Sequence, residues 1–458
     1  MKRHLIFMLL LAAVCLNGIT LEESLELARQ RNSTLLMARE EINRAEQSHL
    51  ELKGGFFPKL TLAGAYSLQR TYLPSSAMSD PIDLTQLLNP YTASDNDYML
   101  AASVSGIANS LLPSSPMDEG SLAASLKLEQ VIFAGGRLHN GYKATQRYRD
   151  ISRLNLKVKE QDVALQTIQM FYGYLLTTRL VQVQEEALAT LRRHVAQVEL
   201  FNQEGFVAEF DVLRARLEEA KLEPQLMKAK NDRDLALAAF RKQIGDEQET
   251  TVPEDEFALP ERIDLSLEQA LAQGLANRGE LEMAGLATEL KELMWKAEKG
   301  IYMPTLGLQA SASLFTAADE FAIEADDFGT NYSVGIGISI PLFDGMSNRA
   351  KVKAAHHDYL LSRIQQRDAT ALIRLEITQN YNNLRHAEEN YRVQQENMRL
   401  AEQGLELARV RYENQVGIQL EVFDAQTTLS AIKLQYYQAI YEVISATRML
   451  QKSLGTTL

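Results

Sequence analysis

The chain has 458 residues, a formal net charge of -13 at pH 7, 46% hydrophobic and 23% charged residues. That acidic balance argues against a nucleic-acid partner, and the composition is that of a folded chain rather than a disordered one. Its single cysteine, Cys15, excludes an internal disulfide.

The residues from Met1 to Gly18 place Lys2 and Arg3 ahead of an apolar run from Leu5 to Leu16, which predicts a secretory leader over 1–18. Cleavage after Cys15 and cleavage after Gly18 both fit. Cys15 also leaves a lipid anchor open, although Val14 before it is larger than such sites usually show. Beyond the leader no apolar run reaches the roughly 18 residues of a spanning helix. The exported chain is then either soluble outside the cytoplasm or a β-barrel in a membrane.

A helix is expected over 20–55, opened by Thr20 and Glu23 as a capping box and stopped by Pro58. Lys59–Arg70 then alternates, with Leu60, Leu62, Tyr66 and Leu68 on one face and Thr61, Ala63, Ala65 and Ser67 on the other. The segment 70–120, with Pro74, Pro81, Pro90, Pro113 and Pro116, reads as a large surface loop on the outer side. Residues 121–131 alternate again, and Phe133-Ala-Gly-Gly136 turns the chain into a long helix reaching about Asn202, with Leu176, Leu180, Val183, Ala187 and Leu191 as its seam. Glu204-Gly205 breaks that rod and a second helix covers 211–244, so 137–245 is one helical hairpin.

Residues 246–265, with Pro253 and Pro260, read as a linker. After it come another helix, strands at 304–315 and 331–341, and the turn Phe343-Asp-Gly345. From Ser347 a second rod begins, in which Leu384, Tyr391, Met398, Leu405 and Tyr412 fall seven residues apart and Ala387, Ala401 and Ala408 supply a small second seam. At about 1.5 Å per residue such a rod is roughly 100 Å long. Gln415 to Gly417 breaks it, a helix follows over 421–454, and 347–455 is the second hairpin.

These two series are copies of one unit. Leu21-Glu22, Leu25, Leu35, Met37-Ala38, Lys53-Gly54 and Pro58 recur 246 residues later, from Leu267 to Pro304. Phe133, Gly135, Gln169, Asp211, Val212 and Gly245 recur 210 residues later, as Phe343, Gly345, Gln379, Glu421, Val422 and Gly455. The change of register marks an insertion of about 36 residues in the first copy. Thus 1–18 is leader, 19–245 the first repeat, 246–265 the linker and 266–458 the second repeat.

Each strand carries one apolar face and one of mainly Ser, Thr, Gly and Gln, which favours a membrane over a densely charged solvent face. About ten residues is the length a tilted strand needs to cross a bilayer. Four strands cannot close a barrel, since about eight is the smallest that fills, so several chains would have to share one.

Taken together, the duplicated plan, Phe133-Ala-Gly-Gly-Arg137, Phe343-Asp-Gly345, Gly205-x5-Asp211-Val-Leu213 and Glu421-Val-Phe-Asp424-Ala-Gln426 resemble the TolC family of outer membrane efflux proteins. The resemblance implies a mainly α fold with a β-barrel part. Long hairpins would form a trimeric α-barrel, and four strands per chain would contribute to a shared 12-stranded transmembrane β-barrel. It implies a passive exit duct across periplasm and outer membrane, without enzymatic chemistry or cofactor. The implied partners are sister subunits of a homotrimer, a periplasmic adaptor, an inner-membrane pump and outer-membrane lipid.

By the same resemblance Glu421 and Asp424 would ring a periplasmic gate, and being three apart they share a helix face. From the residues alone a solvated helix N-terminus, where the dipole favours acids, is the better account of them. Asp211 and Tyr412 match partners of a tip latch. Gln415 stands where the family has glycine and Gly417 where it has the latch arginine, so Arg409 or Arg411 is expected to supply the cation. The tips Gly205, Phe206, Val207 and Ala208, and Val416, Gly417, Ile418 and Gln419, would meet the adaptor. His356-His357 read as surface histidines unable to share a metal. Gly335-Ile-Gly337 lies in a strand and lacks the rest of a dinucleotide fingerprint. The reading from another class is an exported periplasmic coiled-coil scaffold or adaptor without a pore.

Overall fold

The computed structural model describes residues 17–71, 82–110, 117–316, 324–414 and 416–456. The leader up to residue 16 with Cys15, parts of the 70–120 segment and Gln415 lie outside these. The chain divides into a mainly helical unit (residues up to 50, 141–295 and 352–458) and a unit holding the sheet (51–140 and 296–351).

Strand β1 (Asn17–Ile19) opens the described chain, followed by α1 (Leu21–Arg31) and α2 (Ser33–Gly54). The single helix expected over 20–55 is therefore two. Thr20 and Glu23 do form the capping box. The break comes at Asn32, a buried residue in extended conformation. Its amide donates to the Gln243 carbonyl at 2.8 Å, and its Oδ1 accepts from the Thr34 amide at 2.9 Å, capping α2. Asparagine competes with the helix for its own backbone, and here a distant partner decides the outcome.

The repeat reproduces the break in α6 (Leu267–Asn277) and α7 (Gly279–Lys299), with Arg278 between them. The Arg278 side chain is only 5% exposed and pairs with Glu280 at 2.8 Å and Glu376 at 3.0 Å. Between the copies, residues 246–265 are not merely a linker: β4 (Thr251–Pro253) pairs in parallel with β1. Asn17 and Gly18, placed at the end of the leader by sequence, are thus strand residues, and cleavage after Gly18 would remove two of the three.

The hairpins are α4 (Arg137–Gln203) with α5 (Glu209–Ile244), and α8 (Ser347–Glu413) with α9 (Gln419–Ser453); α4 and α8 are each 67 residues long. Two of the cores in the helical unit follow the repeat. Val163, Phe171, Phe240 and Ile244 pack with Leu35 in one; Ile373, Ile377, Leu450 and Leu454 pack with Ala270 in the other. Phe171 and Phe240 meet edge to face at 5.8 Å. His356, read as a surface residue, packs its ring 4.5 Å from Trp295, while His357 is exposed.

In the other unit β2 (Lys59–Thr71), β3 (Met117–Ala134), β5 (Thr305–Thr316) and β6 (Phe328–Ser339) form one antiparallel sheet in the order β2-β3-β5-β6. β3 is longer than the expected 121–131, and β6 begins earlier than the expected 331. The 70–120 segment is more than loop, since it holds α3 (Asp95–Ser110) and a 3-10 turn over Leu84–Leu87. Asn109 exchanges hydrogen bonds with the backbone of Ile82, which ties α3 to the turn's approach.

Register aligns the alternating faces into rows. Leu62, Leu126, Ala312 and Tyr332 are successive partners across the sheet, as are Thr61, Lys127, Ser311 and Ser333. The apolar row is exposed at both edges: Leu62 and Tyr332 are each 77% exposed. On the small polar face hydroxyls pair across strands, Ser67 with Ser121 at 3.0 Å and Ser311 with Ser333 at 2.8 Å. Among the described residues the sheet is open, with β2 and β6 as its outer strands and no closure within one chain.

The Phe133-Ala-Gly-Gly136 motif has a local cause. Gly135 has φ +61°, and a Cβ there would lie 2.2 Å from the Gly300 carbonyl oxygen. Gly300 would meet Gly135 as closely in return, so each copy supplies a glycine to one backbone contact.

Candidate functional site: the tips of the helical hairpins

The first tip is a helix end stopped by local chemistry. Gly205 takes φ +82°, the Phe206 amide donates to the Phe201 carbonyl at 2.8 Å, and the Gly205 amide donates to Asn202 at 3.0 Å. That is the Schellman bond pattern, and its usual apolar contact is supplied by Phe206 against Phe201, edge to face at 6.4 Å. Asn202 donates to the Val207 carbonyl, and the Asp211 carboxylate accepts from the Ala208 amide at 3.3 Å, starting α5.

The second tip repeats this with different residues. The Val416 and Gly417 amides both donate to the Arg411 carbonyl at 2.9 Å, and the Glu421 amide returns to Ile418. Ile418 offers no side-chain cap to α9. Arg411 Nε lies 3.2 Å from Glu421 Oε2, with both side chains nearly half exposed. Phe206, Val416 and Ile418 are exposed large apolar residues at the two turns.

Of the expected site residues, Glu421 is therefore paired with Arg411, while Asp424 is exposed one turn on. Arg409 makes no ion pair among the described residues. It lines, with Arg193, Thr190, Gln426 and Lys433, a groove of about 390 Å³ between α4, α8 and α9.

Tyr412 and Asp211 are close but not bonded. The Tyr412 hydroxyl is buried and has no hydrogen-bond partner among the described residues. Burial first, and then the Asp211 charge, pushes its pKa up. The Asp211 carboxylate is engaged instead with the Ala208 amide.

Packing joins the two hairpins near these tips. Phe423 of α9 enters a cluster with Leu191, Val195 and Ala215 of the first hairpin. The His194 ring lies 4.8 Å from Phe423, edge to face, and 5.6 Å from Tyr412; Phe201 is 6.3 Å from Tyr412. Burial, followed by the Arg409 charge, holds His194 below the usual histidine range. Sequence reasoning missed His194 and Phe423. A histidine two to three helix turns before the α4 tip and a phenylalanine inside the Glu421–Asp424 motif carry no signal until the hairpins are docked.

Among the described residues no group of three His, Cys, Asp or Glu is placed to hold a metal ion, and no helix is long and apolar enough to cross a membrane.

The family model described as "Outer membrane efflux protein" matches residues 24–246 and 270–456. The chain is 24% identical over 332 residues to the outer membrane efflux protein BepC of Brucella suis, covering 72% of this chain and 71% of that protein. It is 21% identical over 353 residues to the outer membrane protein TolC of Escherichia coli, covering 74% and 70%. Among solved structures, the outer membrane protein VceC of Vibrio cholerae superposes with a TM-score of 0.73 at 16% identity, covering 95% of this chain and 96% of that one. The CmeC outer membrane channel of Campylobacter jejuni gives 0.76 at 15% identity, covering 95% and 85%. At these identities the structural matches speak for the fold.

Proposed function

We propose, proceeding from the fact that this chain belongs to the outer membrane efflux protein family, that it is the outer-membrane exit duct of a tripartite efflux or type I secretion system. In this reading strands from three copies close a 12-stranded barrel and the hairpins of the trimer form the tunnel. A periplasmic adaptor and an inner-membrane pump deliver the cargo, the duct performs no chemistry, and Glu421 with Asp424 rings its periplasmic mouth.

The observation that carries this reading is the open four-stranded sheet. Its apolar face is bare at both edges, each strand has at least 12 residues, and among the described residues the outer edges of β2 and β6 are unpaired. A bare apolar sheet with two free edges aggregates in water, whereas in a bilayer it has to close on further strands. The hairpins carry matching unpaired seams: Phe210, Leu213 and Leu217 on α5, and Val393, Leu400 and Leu407 on α8, are all exposed. Packing one against its counterpart on a sister chain would bury both. Family membership weighs against the coiled-coil scaffold without a pore.

Membrane fractionation with single-channel recording tests the proposal. Recovery in the outer membrane and a stepwise conductance in planar bilayers are expected. Recovery of all the protein in the soluble periplasm would refute the duct.

A further inference from the structure

We propose that His194 is a proton-sensitive wedge between the two hairpins, and that its protonation separates their tips. This rests on reading the tips as a gate, but it names a residue and a trigger that the acidic ring does not.

The imidazole sits where α4 of the first hairpin meets α8 and α9 of the second. Its Nε2 is buried and has no hydrogen-bond partner among the described residues. The faces around it are the Phe423 edge and the Tyr412 ring, and Phe423 is packed in turn on Leu191 and Val195 of the α4 seam. The charges that surround it are the wrong ones for a histidinium. From α8 comes the Arg409 guanidinium, and the Tyr412 hydroxyl is neutral near neutral pH. α9 offers the phenyl ring, while its Glu421 carboxylate is held by Arg411. On its own helix Arg193 turns to the Ala189 carbonyl and the Thr190 hydroxyl. From α5, Asp211 acts on Tyr412 and is engaged with Ala208.

A neutral imidazole fits this box; a charged one is desolvated, unpaired and beside a like charge. The sign follows from linkage. A histidine whose pKa is depressed in the packed state stabilises that state above the ordinary value near 6.5, and the stabilisation is lost as pH falls through that value. Each unit of depression changes the ratio of packed to separated tips by about tenfold.

The test places spin labels on Glu204→Cys and Ile418→Cys in a Cys15→Ser background and follows their separation from about pH 7.5 to about 5.5. The wild-type His194 protein should lengthen as pH falls. His194→Phe and His194→Gln should keep the short distance throughout, and His194→Arg should start long. A distance that stays constant with His194 present overturns the proposal, as does a response that survives in both neutral variants. Conductance recorded in parallel separates the two readings. A His194-dependent distance change in a protein that forms no pore would refute the duct and leave the wedge standing; a conducting pore whose tips ignore His194 would do the reverse.

Discussion

Arg411 Nε lies 3.2 Å from Glu421 Oε2 across the turn of the second hairpin, so the carboxylate proposed for the mouth carries its own counter-ion. Both side chains are partly exposed, and such a pair contributes at most about 1 kcal/mol to stability. Its weight is electrostatic instead. Arg411→Ala should leave the fold intact and strengthen block by divalent or polycationic ions, because three more unpaired carboxylates would face the constriction of a trimer. Glu421→Ala combined with Asp424→Ala should do the opposite, raising conductance and weakening block in planar bilayers. Equal block in all three proteins would show that neither acid lines the pore.

Tyr412 offers a second discrimination. Among the described residues its hydroxyl is buried, unpartnered and near the Asp211 charge, so it makes no bond there that could hold the tips. Removing an unsatisfied buried hydroxyl while keeping the ring is neutral to stabilising. Tyr412→Phe should therefore leave basal conductance unchanged, whereas Tyr412→Ala, which empties the contact with His194 and Phe201, should raise it. If Tyr412→Phe opens the channel as fully as Tyr412→Ala, the hydroxyl is a latch after all.

The break between α6 and α7 depends on a buried cation. Arg278 donates to both oxygens of Glu376 at 3.0 Å and to Glu280 at 2.8 to 2.9 Å. Burial opposes its charge, but these hydrogen bonds and the two carboxylates together raise its pKa. Arg278→Ala leaves Glu376 and Glu280 unpaired and empties a buried site; because these carboxylates are 40% and 28% exposed, the cost falls below the about 3–5 kcal/mol of a fully buried pair. Its counterpart Asn32→Ala loses a neutral bond to Gln243, at about 1–3 kcal/mol. Thermal unfolding in detergent should rank Arg278→Ala clearly below Asn32→Ala, and Asn32→Ala below the unaltered protein. The reverse order would mean that the ion pairs do not hold this junction.

What could be read in advance was whatever repeats at short range. The seven-residue beat through Leu384, Leu405 and Tyr412 gave the rods, the alternation from Leu60 to Leu68 gave the strands, and the recurrence of Leu21 to Pro58 at Leu267 to Pro304 gave the duplication. What could not be read depends on partners far along the chain. Asn32 and Arg278 interrupt apolar patterns that otherwise run on, and they do so because Gln243 and Glu376 wait for them. Asn17–Ile19 and Thr251–Pro253 are too short and too far apart to announce a pairing. At the site, the tips were legible from Gly205 and Gly417. The bond from Arg411 to Glu421 was not, because the cation's place in the pattern is taken by glycine, and neither was the His194 box, which exists only where two hairpins meet.

The most direct test of the shared sheet is disulfide cross-linking between its two free edges. β2 and β6 lie at opposite ends of one chain's sheet, so cysteines placed on them, for example at Ala63 and Gly335 with neighbouring positions scanned for register, can join only between chains. With Cys15 replaced by Ser, membranes from cells expressing these variants should yield a denaturing-gel ladder that ends at three chains and collapses on reduction. A single-chain band at every register, from protein recovered in soluble form, would contradict the shared barrel and the duct built on it.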